Sequence, residues 1–249
     1  MITLLLLFVP LVASLACLLL DKAKVKVFAL GTSLVNFGIL VYSLTLFKSD
    51  MSYQFLVDYW WVKDLGISFK LGLDGISILL VALTNFLMPL IILSSFRTEY
   101  KNATAFYSLM LFMQFALIGV FAALDGFLFY IFWELALIPI YFICLFWGGE
   151  DRVRITLKFF IYTLTGSLLM LVGLIYVYLQ TPGTHSFDIN VLYSTALTVT
   201  DQSWLFWCFF LAFAIKIPIF PLHSWQADTY TDSPTQGTML LSGIMLKMG

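Results

Sequence analysis

The chain has 249 residues, 61% of them hydrophobic and only 11% charged, with a formal net charge of −1. A soluble domain carries about 25% charged residues, so this composition and a mean hydropathy of +0.98 exclude a soluble globular protein. They indicate an all-α polytopic membrane protein. The balanced charge offers no basic face to nucleic acid, and continuously apolar runs do not fit a transmembrane β-barrel.

In chain order, MITLLLLFVPLVASLACLLLDKAK lacks the basic leader and small-residue cleavage site of a signal peptide and reads as a retained first span. Apolar segments follow at 27–47, 73–96, 104–123, 126–147, 155–179, 203–221 and 235–249, so about eight transmembrane helices are expected. The last run reaches Gly249 without a flanking anchor, which predicts an incomplete functional unit, either a piece of a longer protein or one truncated relative to its family. The links at 21–26, 97–103 and 148–158 hold Lys22, Lys24, Lys26, Arg97, Lys101, Arg152, Arg154 and Lys158. The opposite side holds Lys48, Lys63 and Lys70. Eight basic residues against three place the first group in the cytoplasm and the N-terminus outside.

Two connections have patterns of their own. Between 51 and 71, alternating Tyr53, Phe55, Val57, Tyr59 and Trp61 lead to a Lys-Asp-Leu-Gly turn at 63–66, then to alternating Ile67, Phe69 and Leu71. This predicts a small outer β-hairpin, with Tyr59, Trp60 and Trp61 as interfacial anchors. Asp74 in GLDGIS has the position of a helix N-cap. The stretch 185–201 is too polar to span and predicts a short amphipathic helix.

Three ionisable residues interrupt apolar spans: Glu134 in FLFYIFWELALIPIYFICLFW, Lys216 in WLFWCFFLAFAIKIPIF and Lys247 in GTMLLSGIMLKMG. A charge at bilayer depth costs roughly 3 kcal/mol or more, so such residues mark ion or proton pathways. Pro139 deprives the Leu135 carbonyl of its helical donor. Pro218 and Pro221 do the same for Ala214 and Ile217, which predicts a break just after Lys216. A broken helix beside a charge is the sequence signature of an ion site. Burial penalises the charged form of either residue type and an opposite charge offsets the penalty, so moving one proton resets the next site. A relay of this kind needs no metal. Lys247 reads equally well as a flanking anchor.

Other residues carry weaker signals. His223 in PLHSW titrates near neutral pH and suits either proton entry or an interfacial hydrogen bond. Asp228 and Asp232 read as solvated or capping residues, and Arg152, Arg154 and Lys158 as topology determinants. Thr163, Thr165 and Ser167 read as hydroxyls bonded back to their own helix, and Gly166 with Gly173 as a close-packing face. Cys17, Cys144 and Cys208 stand alone in separate runs, without metal-ligand or disulfide spacing.

FWELALIPIYFICLFWGG, RITLKFFIYTLTGSLLMLVG, FAIKIPIFPLHSWQADTYTDSPTQGTMLLSGIMLKMG and KLGLDGIS together resemble the antiporter-like subunits of respiratory complex I, NADH–quinone oxidoreductase. The WELALIPIYF wording is most similar to the M-type branch. The resemblance implies a complex I/Mrp antiporter-like fold of about fourteen helices, with two inverted five-helix repeats and a broken helix in each. Residues 1–103 would then be the leading three helices with the hairpin, and 104–249 the first repeat, cut within its last helix. It also implies Glu134 as coupling glutamate, Lys216 as broken-helix lysine and Lys247 as central-axis lysine.

The implied function is redox-driven proton translocation in a bacterial inner membrane rather than a mitochondrial one. The implied partners are the other antiporter-like chains, L and N, small membrane subunits and lipid. No cofactor is expected on this chain; FMN, iron–sulfur clusters and quinone would reside on partner subunits. An Mrp-type cation/proton antiporter subunit and a hydrogenase membrane arm share the resemblance. A purely structural scaffold would not need the desolvation cost of the buried charges.

Overall fold

The structure is a computed structural model describing residues 1–50 and 52–249; Met51, the first residue of the predicted hairpin, lies outside the described residues. Its helices are α1 (Ile2–Cys17), α2 (Lys22–Leu46), α3 (Ser77–Ser94), α4 (Ala103–Ala122), α5 (Gly126–Trp147), α6 (Arg152–Gln180), α7 (Ile189–Ser194), α8 (Val199–Lys216), α9 (Ser224–Asp232) and α10 (Thr235–Gly243). Every predicted span contains a helix. Among the described residues five helices are long and apolar enough to cross a bilayer: α2, α3 with its extension to Arg97, α4, α5 and α6. That is fewer than the eight expected. The 16 residues of α1 are short for a crossing, α8 opens on the polar run Thr200, Asp201, Gln202 and Ser203, and α10 stops at Gly243 after 9 residues.

Helix α4 is the hub, packing on α1, α2, α3 and α5. Its sequence is apolar all round, and both its faces are buried, as a central helix requires. Helix α6 packs on α8 through its glycines. A Cβ on Gly166 would lie 3.3 Å from the Ala212 Cα, and one on Gly173 would lie 3.1 Å from the Phe209 ring. This close-packing face is the one expected. Thr163, Thr165 and Ser167 bond back to carbonyls of α6 itself, as read from the sequence.

The predicted hairpin is present as antiparallel β1 (Gln54–Val62) and β2 (Ile67–Leu73), with Tyr59 opposite Phe69. Its turn needs glycine twice over. Gly66 has φ +61, and a Cβ there would lie 2.0 Å from the His185 carbonyl oxygen. The alternation of β1 does not become a buried face, because register shifts at both ends of the strand re-aim its side chains. Tyr59, Trp60 and Trp61 are all exposed, whereas most of β2 is buried.

Strand β2 docks on the α4–α5 corner. Leu124 N–H donates to Lys70 O at 2.9 Å, Ile189 N–H to Leu124 O at 3.1 Å and Gly126 N–H to Phe187 O at 2.7 Å. Hairpin, corner and the 187–189 segment thus form one backbone-paired layer at this end of the bundle. Asp74 accepts the N–H groups of Ile76 and Ser77 at the start of α3, as predicted. The amphipathic stretch 185–201 becomes α7 and the first residues of α8.

Candidate functional site

Helix α8 ends at Lys216, where the missing N–H of Pro218 stops regular bonding. The freed carbonyls are taken up locally. Ala214 O accepts from Ile219 N–H at 2.9 Å, and Ile215 O accepts from the indole N–H of Trp225, a buried residue of α9, also at 2.9 Å. The break is therefore a satisfied structure, held by a tryptophan reaching in from the next helix. Lys216 is 3% exposed. Its Nζ lies 5.3 Å from the centroid of the Trp133 ring, a geometry in which the ring face attracts an ammonium group.

Trp133 belongs to α5 and immediately precedes Glu134, so the tryptophan links the carboxylate's helix to the lysine. Its ring also meets Phe213 of α8 at 5.8 Å between centroids. Glu134 is partly buried, and its Oε1 is fully enclosed without a hydrogen-bond partner. Tyr130 lies one turn earlier on the same face of α5. Among the described residues Glu134 and Lys216 form no direct ion pair. Pro139 sits inside α5 without ending the helix.

The other two candidates lie differently. Lys247 is exposed, in a 3-10 turn at Met245–Met248, and donates from Nζ to Ser242 O. That turn packs on α8 and α4, and a Cβ on Gly249 would lie 3.2 Å from Cβ of Lys216. His223 is exposed at the start of α9, its ring 5.5 Å from that of Phe220. Lys158 joins α6 to α9 by bonds to Asp228 at 2.9 Å and to Ser224 O at 2.8 Å. Its hydrogen bond and charge hold the exposed Asp228 carboxyl below the usual carboxylate range.

Two polar centres were not singled out from the sequence. Asp125 is 0% exposed and caps α5, accepting from the N–H groups of Phe127 and Leu128 and from both N–H and Oγ–H of Ser68. Burial pushes its carboxyl above the usual range, against these four hydrogen bonds. Lys70 pairs with Asp188 and lies 3.8 Å from Asp58. Burial works against that ammonium, but the bond to Asp188 and the charges of Asp188, Asp58 and Asp125 outweigh it and hold Lys70 above the ordinary lysine range. The signal for Asp125 was available: an aspartate directly before the apolar run of α5 has the position of an N-cap. The second centre is an amide cluster of Asn36, Asn85 and Gln114, each a polar residue within an apolar run.

A bundle of apolar helices with a buried lysine at a proline-broken helix end defines a polytopic membrane protein that keeps ionisable groups in its interior. Residues 123–249 match the family described as NADH:quinone oxidoreductase/Mrp antiporter, transmembrane region, and the chain belongs to that family. It is 38% identical over 253 residues to NADH-quinone oxidoreductase subunit M of Rickettsia conorii, covering 97% of this chain and 51% of that protein. It is 39% identical over 224 residues to F(420)H(2) dehydrogenase subunit M of Methanosarcina mazei, covering 87% and 45%. Among solved structures, a chain of respiratory complex I from Thermus thermophilus with bound NADH aligns at a TM-score of 0.82 and 31% identity, covering 98% of this chain and 51% of that one. The chain thus spans about half the length of the curated relatives it matches.

Proposed function

We propose that this chain is part of the M-type membrane subunit of a proton-translocating NADH:quinone oxidoreductase, and that Glu134 and Lys216 are its charge-relay pair. One observation supports this above all others: Lys216 is buried at the broken end of α8, over the face of Trp133, the residue that directly precedes Glu134. The charge of Glu134 acts on Lys216, yet the two groups are not locked in an ion pair. A small shift of α8 against α5 then changes their interaction, and with it the free energy of protonating either one. In the relay, Glu134 is the coupling acid and Lys216 the site that loads and releases a proton. Lys247 hands the proton on, and His223, exposed beside the break, serves as the entry.

Moving one charge against the membrane potential requires about 2.3 kcal/mol per 100 mV. The driving force comes from quinone reduction on partner subunits that carry FMN and iron–sulfur clusters, with this chain contributing no redox centre. Chains L and N, the small membrane subunits and lipid surround it in the bacterial inner membrane. Residues 1–103 form the leading helices and 104–249 the first antiporter-like repeat. The hairpin and the N-terminus face outward, and the links rich in lysine and arginine face the cytoplasm.

In the assembled complex, Glu134→Gln and Lys216→Met should each assemble normally. Each should lower NADH:quinone reductase activity to on the order of a tenth of wild type, which corresponds to losing a charge interaction worth about 1.4 kcal/mol. Near-normal activity in both would reject the relay. A sodium-driven antiporter would instead keep its NADH-independent proton exchange strictly dependent on a sodium gradient.

A further inference from the structure

We infer that the groove between α1 and α2 holds one acyl chain of an anionic phospholipid, with the lipid phosphate at Lys24. The site lies apart from Glu134 and Lys216, and the proposed relay makes no use of it. Helices α1 and α2 pack against each other across the short link 18–21 and leave a groove of about 580 Å³ between them. On α1 its wall runs from Leu5 to Ala16, and on α2 from Phe28 to Val35. Leu5, Val12 and Val35 on its rim are exposed. Gly31 keeps the groove open, since a Cβ there would meet nothing within 4 Å. Helix packing therefore does not require that glycine, in contrast to Gly166 of α6.

Length selects the occupant. On α2 the groove ends at Val35, near the middle of Lys22–Leu46. From Lys24 to Val35 the helix rises ~16 Å at ~1.5 Å per residue. That is about half of a hydrocarbon core ~30 Å thick, the depth of a single leaflet. A neighbouring transmembrane helix would need a surface running through both leaflets. One lipid tail fills a groove of half that depth.

Charge selects the headgroup. Lys24, Phe28, Gly31 and Val35 follow the spacing i, i+4, i+7 and i+11, so the lysine heads the face of α2 that lines the groove. Lys24 is exposed and has no ion-pair partner among the described residues. Lys26 is committed elsewhere, donating to Phe96 O and Thr98 O at the end of α3. Asp21 precedes α2 without capping it through its side chain, so the positive end of the helix adds to the pull on a phosphate. Three lysines against this one aspartate leave the link positive. A second apolar groove, of about 400 Å³ beside α7, has no basic residue in its lining and lacks this preference. Under the orientation proposed above, the bound lipid belongs to the cytoplasmic leaflet.

The test is photolabelling of the assembled complex in phosphatidylcholine vesicles. These contain a trace of phosphatidylglycerol, or of phosphatidylcholine, with a diazirine midway along one acyl chain. Mass spectrometry then locates the labelled residues. In wild type the phosphatidylglycerol probe should label Val12 and Val35 more than the phosphatidylcholine probe does. Lys24→Gln should lower that labelling about five-fold, the effect of one lysine near an anionic surface, and leave exposed Leu157 and Ile161 of α6 unchanged. Gly31→Leu fills the groove without meeting a neighbour and should remove the labelling of Val12 by both probes. Equal labelling by the two probes in wild type would overturn the proposal, and that comparison needs no variant. Undiminished labelling in Lys24→Gln would overturn it too, as would an unlabelled groove, the result expected if another subunit filled it.

Discussion

At the residue scale, the contact that matters most is an aromatic one. The Trp133 ring lies 5.3 Å from Lys216 Nζ, and the residue that follows it on α5 is Glu134. Trp133→Leu keeps an apolar side chain and removes a cation–π contact worth about 2 kcal/mol when desolvated. The variant should reduce coupled activity several-fold while Trp133→Phe retains most of it, as quinone reductase assays on purified complex would show. Asp125 makes a separate prediction about stability. Losing the cap and the bonds to Ser68 in Asp125→Ala should cost about 2–4 kcal/mol, whereas Asp125→Asn keeps most of the cap and should cost less. Because burial raises the folded-state pKa of Asp125, its protonated form favours the fold. Stability from this group is therefore greatest in acid and declines as pH rises from the usual carboxylate range through the raised value. Thermal unfolding across that window should show this slope in wild type and its loss in Asp125→Asn.

At the element scale, the hairpin and the α8 break were both legible, for different physical reasons. The hairpin was visible because strand-forming residues flank a turn whose glycine is required by φ +61 and by the His185 carbonyl. Its buried face was not, because bulges re-aim side chains without changing the composition of the strand. The break after Lys216 followed from the missing N–H of Pro218, but the indole of Trp225 that satisfies Ile215 O is a tertiary contact with no local signature. The ion pair of Lys70 with Asp188 ties the hairpin to the segment before α7. With Lys70 held above the ordinary lysine range, its contribution is complete at neutral pH and falls only as pH rises through that raised value. Lys70→Met should therefore speed hydrogen exchange in β2 near neutral pH, measured against wild type, while leaving α4 protected. On the other side of the bundle, Gly166→Val would push a branched side chain against Ala212 and Ile215. It should displace α8 and lower coupled activity without touching either ionisable residue.

At the scale of the whole molecule, composition made the membrane class plain, and long motifs around Glu134 and Lys216 made the family plain. The positions of the candidates were only partly legible. Lys216 lies over Trp133, the residue before Glu134, whereas Lys247 is exposed in a 3-10 turn after α10. The amide cluster was hidden because single polar residues in three apolar runs show no relation until the helices pack. Orientation is open to a simple check. With the native cysteines replaced, Lys63→Cys should react with a membrane-impermeant thiol reagent from outside, and Lys24→Cys only after permeabilisation. The central claim rests on the Glu134–Lys216 pair. Its most direct test is NADH-driven proton uptake into proteoliposomes holding correctly assembled complex with Glu134→Gln and Lys216→Met combined. Loss of most proton uptake, with no more loss than the more severe single variant shows, is the predicted result. Uptake at the wild-type rate would contradict the account.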